Sequence, residues 1–536
     1  MASACAACTA RAPVAAPSGG GLAAAESVYA DLRDLRDRLD VATDFGRASL
    51  TAGSPAAAQV AAHNALRAEV GRRLAGIDSV SLRPADAHAL GTMRRTLERD
   101  LNPFLPSTGP AKDQVCTIGR AADGLDSLRK RLYDCYGWNQ SHVTVDRDTL
   151  DRLSILGALG KVDDESRRRR LFLALEPVWR SVNGNDEPGS PYRRLIALEA
   201  RGRDEGLAAQ IRASGVPRDS LEPWLMAVLT TWRTSNPDSQ IEPWNWYYAT
   251  GRSSRALGRR ISRERLTALN RMVYRGLGAD LSRLDVRYDL EPREGKTPVA
   301  YTTFGARPRF INGSWRAGRP LVLATYRTGG LDNLNELLHE TGHAVHIAAI
   351  RTRPAFADWP DSDPFTEAVA DLIALDVYEP AWQQRWLGDS VPLADGLRGR
   401  YGGIVMDVAW AVFELRMLRD PGADPNTVWT GLTRDYLGIR PHPELSWWAM
   451  RAQLIDAPGY MMNYAVGAML SAAIRARTRE LHGATTAGDS TWYGWIAPRL
   501  YRFGLERPTR EVVEEFLGGP VSPVALLADM RRMASR

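Results

Sequence analysis

Apolar residues recur every three or four positions over most of the chain, and that spacing confines it to a helical fold. Val28, Leu32, Leu35 and Leu39 form one stripe. Leu66, Val70, Leu74 and Ile77 form a second, and Leu90, Met93, Leu97 and Leu101 a third. Each stripe gathers its side chains on one face of an amphipathic helix. The period continues through 147–210 and 219–234, with breaks at Pro103–Pro110, Asn183–Pro191 and Pro292–Pro298. At 536 residues the chain can bury a large core, expected as two or more subdomains. No internal repeat is visible, and no apolar run is long enough to span a bilayer.

Charge adds little. The net charge is +6, but only Lys112, Lys130, Lys161 and Lys296 are lysines, so arginine supplies nearly all the positive charge. That is a compositional bias. The sharpest basic run, Arg167–Arg170, follows Asp163, Asp164 and Glu165 and reads as a solvated helix end. No nucleic-acid partner is expected.

The cysteines are Cys5, Cys8, Cys116 and Cys135. The last two close a short loop; they form either a disulfide, implying an oxidising compartment, or two buried thiols. Residues 1–21 are rich in Ala, Ser, Gly and Pro and read as a flexible leader. Such a leader is expected after a cleaved signal or a lipid-anchor cysteine lost from the chain. An extracytoplasmic location, periplasmic or secreted, is therefore expected, with the cytoplasm as the alternative. The triplets at Asn139 and Asn312 match glycosylation acceptors, which carry meaning only in a eukaryotic secretory route.

One stretch departs from the helical habit. Arg319–Tyr326 is a continuous apolar and β-branched run that reads as a strand. Gly329 and Gly330 then turn the chain, and Asp332 is the expected N-cap of a helix with Leu334, Leu337, Leu338, Val345 and Ala348 on its buried face. Inside that helix lies His-Glu-x-x-His: His339, Glu340 and His343. Residues four apart share a helix face, so both imidazoles can aim at one zinc ion. Glu340 can reach a water on that ion. His346 falls off this face and reads as structural.

A catalytic zinc needs a third protein ligand and an open position. Downstream, Asp363–Leu375 opens with an Asp-Pro helix start. Glu367 and Asp371 again share one face. Glu367 is the expected third ligand, and Asp371 the acceptor that orients a ligand histidine.

With these residues in place, the sequence resembles angiotensin-converting-enzyme-like zinc peptidases and, more distantly, the thimet-oligopeptidase family. The resemblance is specific over 331–378, where Glu367 lies 24 residues after His343, and looser over 403–475. It implies a mostly α fold: a large helical two-subdomain peptidase with a deep central cleft, a very small β element beside the zinc helix, and an N-terminal helical lid. The organisation expected is a leader over 1–21, a helical region with the lid over 22–300, and a zinc-binding catalytic region over 301–536. Cys116 and Cys135 also lie near the small disulfide loop of relatives.

The same resemblance implies Tyr464 as donor to the oxyanion and Tyr460 as a substrate binder. Arg451 falls where relatives place a lysine that grips the substrate's C-terminal carboxylate, and Gln453 replaces a substrate-binding histidine. The family's other substrate histidine is missing, since none lies between His142 and His339. Asn463 replaces an arginine of chloride-dependent relatives, so strong chloride activation is not expected. The expected activity is hydrolysis of short peptides with one zinc per chain and Glu340 as general base, as a dipeptidyl carboxypeptidase or an oligopeptidase. The missing histidines motivate the alternative of a weak or inactive relative that binds zinc and peptides as a sensor.

Overall fold

The computed structural model describes residues 20–43, 55–101, 103, 124–201, 213–237, 240–293, 296, 299–311 and 314–534. The leader through residue 19, Cys116 and Asn312 lie outside the described residues. Cys135 is disulfide-bonded.

The fold is mostly α-helical, as the periodicity requires. The three N-terminal stripes form α1 (Gly20–Ala42), α2 (Pro55–Ala75) and α3 (Pro84–Arg99). Leu22, Tyr29 and Leu32 of α1, Val70 and Leu74 of α2, and Leu90, Met93 and Leu97 of α3 share a small core with Ala355 and Phe356. A second, much larger core runs without interruption from Leu128 to Met533 and crosses residue 300. The Arg167–Arg170 run lies in a helix capped by Asp164. Its Arg168 is not solvated: it is buried and donates to the carbonyls of Val162 and Asp163.

A three-stranded sheet stands beside the central helices, formed by β1 (Arg287–Asp289), β2 (Tyr301–Ala306) and β3 (Arg319–Leu323). The expected strand thus ends three residues early. β3 is central, parallel to β1 and antiparallel to β2, with Thr302 opposite Val322. The chain then turns into α4 (Leu331–Ala349). Its N-cap is Gly330, not Asp332 as expected: the glycine's backbone makes the turn, leaving Asp332 in the first helical turn, where its carboxylate accepts from Ser254 Oγ. α5 (Asp363–Ala374) begins as the Asp-Pro signal predicts, capped by the Ser362 hydroxyl. α6 (Leu393–Arg419) and α7 (Met461–Leu481) pack against each other, and α7 packs against α5.

The N-terminal helices are tied to the rest through buried charge. Arg353 donates from Nε to Glu26 at 2.7 Å and from a terminal nitrogen to Asp86 at 2.7 Å, with all three side chains 5% exposed or less. Arg307 likewise bridges Asp37 and Asp358 at 2.7 and 2.8 Å. Removing the cation from such a group strands buried carboxylates. We therefore expect Arg353→Met to lower stability by about 3–5 kcal/mol in urea titrations. Burial also pushes the Glu26 carboxyl up to about 7, outweighing the pull of Arg353. Between the ordinary carboxylate value and about 7 the folded form then holds more protons than the unfolded one, so docking of α1–α3 should weaken as pH rises through that window. Hydrogen exchange in α1 on either side of it measures this.

Candidate metal centre and cleft

α4 and α5 cross closely enough to bring their side chains onto one point. Gly342 is why they can. A Cβ there would lie 2.5 Å from the Ala370 carbonyl oxygen, so no larger residue fits without parting the helices. On the other side of α5, a Cβ at Gly467 of α7 would lie 3.3 Å from Glu367 Cβ. α5 is thus packed closely against glycines of both α4 and α7.

The result is one group of potential metal ligands among the described residues: His339, His343 and Glu367, with donor atoms all within 4.8 Å of one another. Two imidazoles and a carboxylate, leaving a side open, is the donor set of a catalytic zinc. Asp371 does what its spacing suggested, with its carboxylate 2.8 Å from His339 Nδ1. That contact fixes the tautomer and leaves Nε2 facing Glu367, 3.5 Å away. Burial disfavours a charged His339, but Asp371 and Glu367 outweigh it and raise the ring's basicity well above the ordinary imidazole range. His343 is pushed the other way, by burial and by His339 beside it. A neutral imidazole is the form that ligates.

Glu340 is buried beside these ligands. Thr302 on β2 reaches it: the hydroxyl lies 2.7 Å from Glu340 Oε2 and 2.8 Å from the Glu340 carbonyl. Burial pushes the Glu340 carboxyl up to about 7, against the lowering pull of His339 and the Thr302 hydroxyl. His346 is structural, as expected. It is fully buried among Trp359, Phe365 and Tyr501, and burial holds its ring neutral, down to about 3.

These groups floor a cleft of about 730 Å³ whose walls come from β2, α4, α5 and α6, from the segment leading into α7 and from the first turn of α7. Tyr460, Tyr464 and Arg451 all line it. The two phenol rings meet edge to face at 5.6 Å. Burial and then the Glu367 charge push the Tyr464 hydroxyl up to about 12 and raise Tyr460 as well, so both remain protonated donors. Arg451 stacks over Trp410 at 4.6 Å and is ion-paired with Asp407 on α6, a partner the sequence did not suggest. Gln453 is not among the lining residues; its amide donates to Tyr464 Oη at 3.3 Å. α1–α3 supply no lining side chain among the described residues. Thr302 and Gly342 were missed by sequence reasoning. The only available signal was that Gly342 interrupts an otherwise apolar helix face.

No family model matches the sequence, and no curated protein matches it. Solved structures do match. An M32 carboxypeptidase from Deinococcus radiodurans R1 superposes with a TM-score of 0.55 at 16% identity, covering 96% of this chain and 98% of its own. Trypanosoma cruzi metallocarboxypeptidase 1 gives 0.52 at 15%, covering 96% and 99%. A Pyrococcus furiosus carboxypeptidase gives 0.53 at 13%, covering 96% and 99%. The chain thus has the helical fold of these carboxypeptidases over nearly its whole length. The resemblance to converting-enzyme-like and thimet-oligopeptidase-like peptidases is met at the level of a helical metallopeptidase fold, by neighbours named as carboxypeptidases.

Metal binding tests the centre directly. The chain should bind one zinc by elemental analysis after dialysis, and Glu367→Ala should bind none stably. Asp371→Asn should weaken zinc by about 10–100-fold in chelator competition. Gly342→Ala should weaken it too, by moving Glu367 away from the histidines without altering any ligand.

Proposed function

We propose that this chain is a zinc-dependent peptidase that cleaves short peptides near their C-termini. The observation that carries the reading is the convergence of His339, His343 and Glu367 beside a buried Glu340 on the floor of a deep cleft. The neighbours' naming as carboxypeptidases supports it. Zinc, when bound there, supplies the Lewis acidity that polarises the scissile carbonyl and acidifies the attacking water. Glu340 takes the proton of that water and passes it to the leaving amine. Its raised pKa suits both halves of the task, since a carboxyl poised near neutrality accepts and returns a proton readily. Thr302 keeps the accepting oxygen in place. Tyr464 donates to the oxyanion and Tyr460 holds substrate. Arg451 receives the C-terminal carboxylate through donors that Asp407 does not use. The disulfide at Cys135 favours an extracytoplasmic location.

Zinc-loaded protein should release C-terminal residues from short peptides with free C-termini, read by mass spectrometry, and leave amidated ones intact. Single residues would make it a carboxypeptidase in the strict sense, and dipeptides a peptidyl-dipeptidase. Internal cuts indifferent to amidation would make it an oligopeptidase and release Arg451 from its role. No cleavage with zinc bound would leave a binding protein. Glu340→Gln should lose about 10²–10⁴-fold in kcat. The base must be deprotonated, so kcat/KM should fall as pH drops below the Glu340 pKa, which a bound cation brings under 7. Thr302→Val removes a hydrogen bond that favours the carboxylate, and should move that acid limb to higher pH.

A further inference from the structure

The cleft carries more negative charge than hydrolysis uses. Six carboxylates line it against one guanidinium, so its walls stay net negative even with a divalent ion bound. Glu340 and Glu367 belong to the hydrolytic centre, and Asp407 is tied to Arg451. Among the carboxylates left over are Asp332 and Glu336, both on α4.

They lie seven and three residues before His339. With a helical period of 3.6 residues they form a row on the face that carries the metal ligands. Neither has an ion-pair partner among the described residues. Asp332 receives a hydroxyl hydrogen bond from Ser254. Glu336 is exposed on the cleft wall, with the Tyr326 phenol beside it. Carboxylates without a cation, gathered on the wall of a concave cleft, hold a negative potential there that a positively charged ligand meets favourably. The two do not make a second metal site, because among the described residues the one group of three or more ligating side chains is the His339–His343–Glu367 set. That set is also the independent mark of a substrate cleft at this place. Carboxylates spaced along a wall match positive charge spaced along an extended peptide, and a cleft of one sign concentrates ligands of the other.

Resting on the peptidase reading, we propose that the cleft selects cationic peptides. Glu336 is the specificity-determining residue for a Lys or Arg side chain beside the scissile bond, and Asp332 reinforces it one helical turn earlier.

The test uses peptides differing only in having Arg, Leu or Glu at each position flanking the cut, assayed with zinc-loaded protein at low and high salt. The Arg peptide should exceed the Leu peptide by about tenfold in kcat/KM, mainly through KM. The Glu peptide should be poorest, and the spread should narrow as salt rises. Glu336→Gln should collapse the Arg-to-Leu ratio, and Glu336→Arg should invert the Arg-to-Glu order, with zinc content checked in each. Equal rates for Arg and Leu, or a ratio that survives Glu336→Gln, overturn the proposal while leaving the peptidase reading intact. If zinc-loaded protein cleaves nothing, the peptidase reading fails, and fluorescence anisotropy of the same labelled peptides decides. Tighter binding of the Arg peptide, lost in Glu336→Gln, sustains charge selection; equal affinities overturn it.

Discussion

At the crossing of α4 and α5 the backbone of one helix meets the backbone of the other with no side chain between them, because position 342 carries none. The site depends on that contact. A helix can place two histidines four residues apart on one face by itself, but not a carboxylate on the same point. Glu367 must come from a second helix, at a separation fixed by what lies between the axes. With Gly342 on one side and Gly467 on the other, α5 cannot shift without opening a gap or a clash. The Asp371–His339 contact then follows from geometry already set: Asp371 is one turn beyond Glu367, as His343 is one turn beyond His339.

Burial is the second organising effect, and it acts on each group according to its charge. It raises the Glu340 carboxyl toward neutrality, lowers His343 and keeps both tyrosine hydroxyls protonated. One environment thereby produces a base, a neutral ligand and two hydrogen-bond donors from residues that in water would titrate far apart. Specific contacts mark the exceptions. His339 departs from the burial trend because Asp371 faces it, and Glu340 is restrained from rising further by Thr302.

What was legible in the sequence follows from the range of the interactions. His339, Glu340 and His343 could be read within one helix turn and Glu367 with Asp371 within another, where spacing is geometry; that the two turns meet was suggested by the pairing and by the family resemblance. The helical class could be read for the same reason. Thr302 could not, since it reaches Glu340 across 38 residues from an adjacent strand. Nor could Asp407, which meets Arg451 from another helix. Asp332 was misplaced as a cap because its residue type suits that position. The glycine before it took the turn instead, and the carboxylate was left for the cleft wall. Gln453, placed by resemblance, touches Tyr464 and is not among the residues that line the cleft.

The segment between α4 and α5 joins the metal centre to the N-terminal helices. It carries Arg353, held by Glu26 and Asp86, and Asp358, held by Arg33 of α1 and by Arg307. Trp359, the next residue, packs edge-on against the His343 ring at 5.6 Å and against His346 at 5.8 Å. The same short segment therefore spans the two ligand helices and bears the charges that dock α1–α3. A displacement of α1 would take Arg33 from Asp358 and reach a metal ligand through one intervening tryptophan. The N-terminal helices contribute no side chain to the cleft among the described residues, yet they hold the loop that joins its two ligand helices.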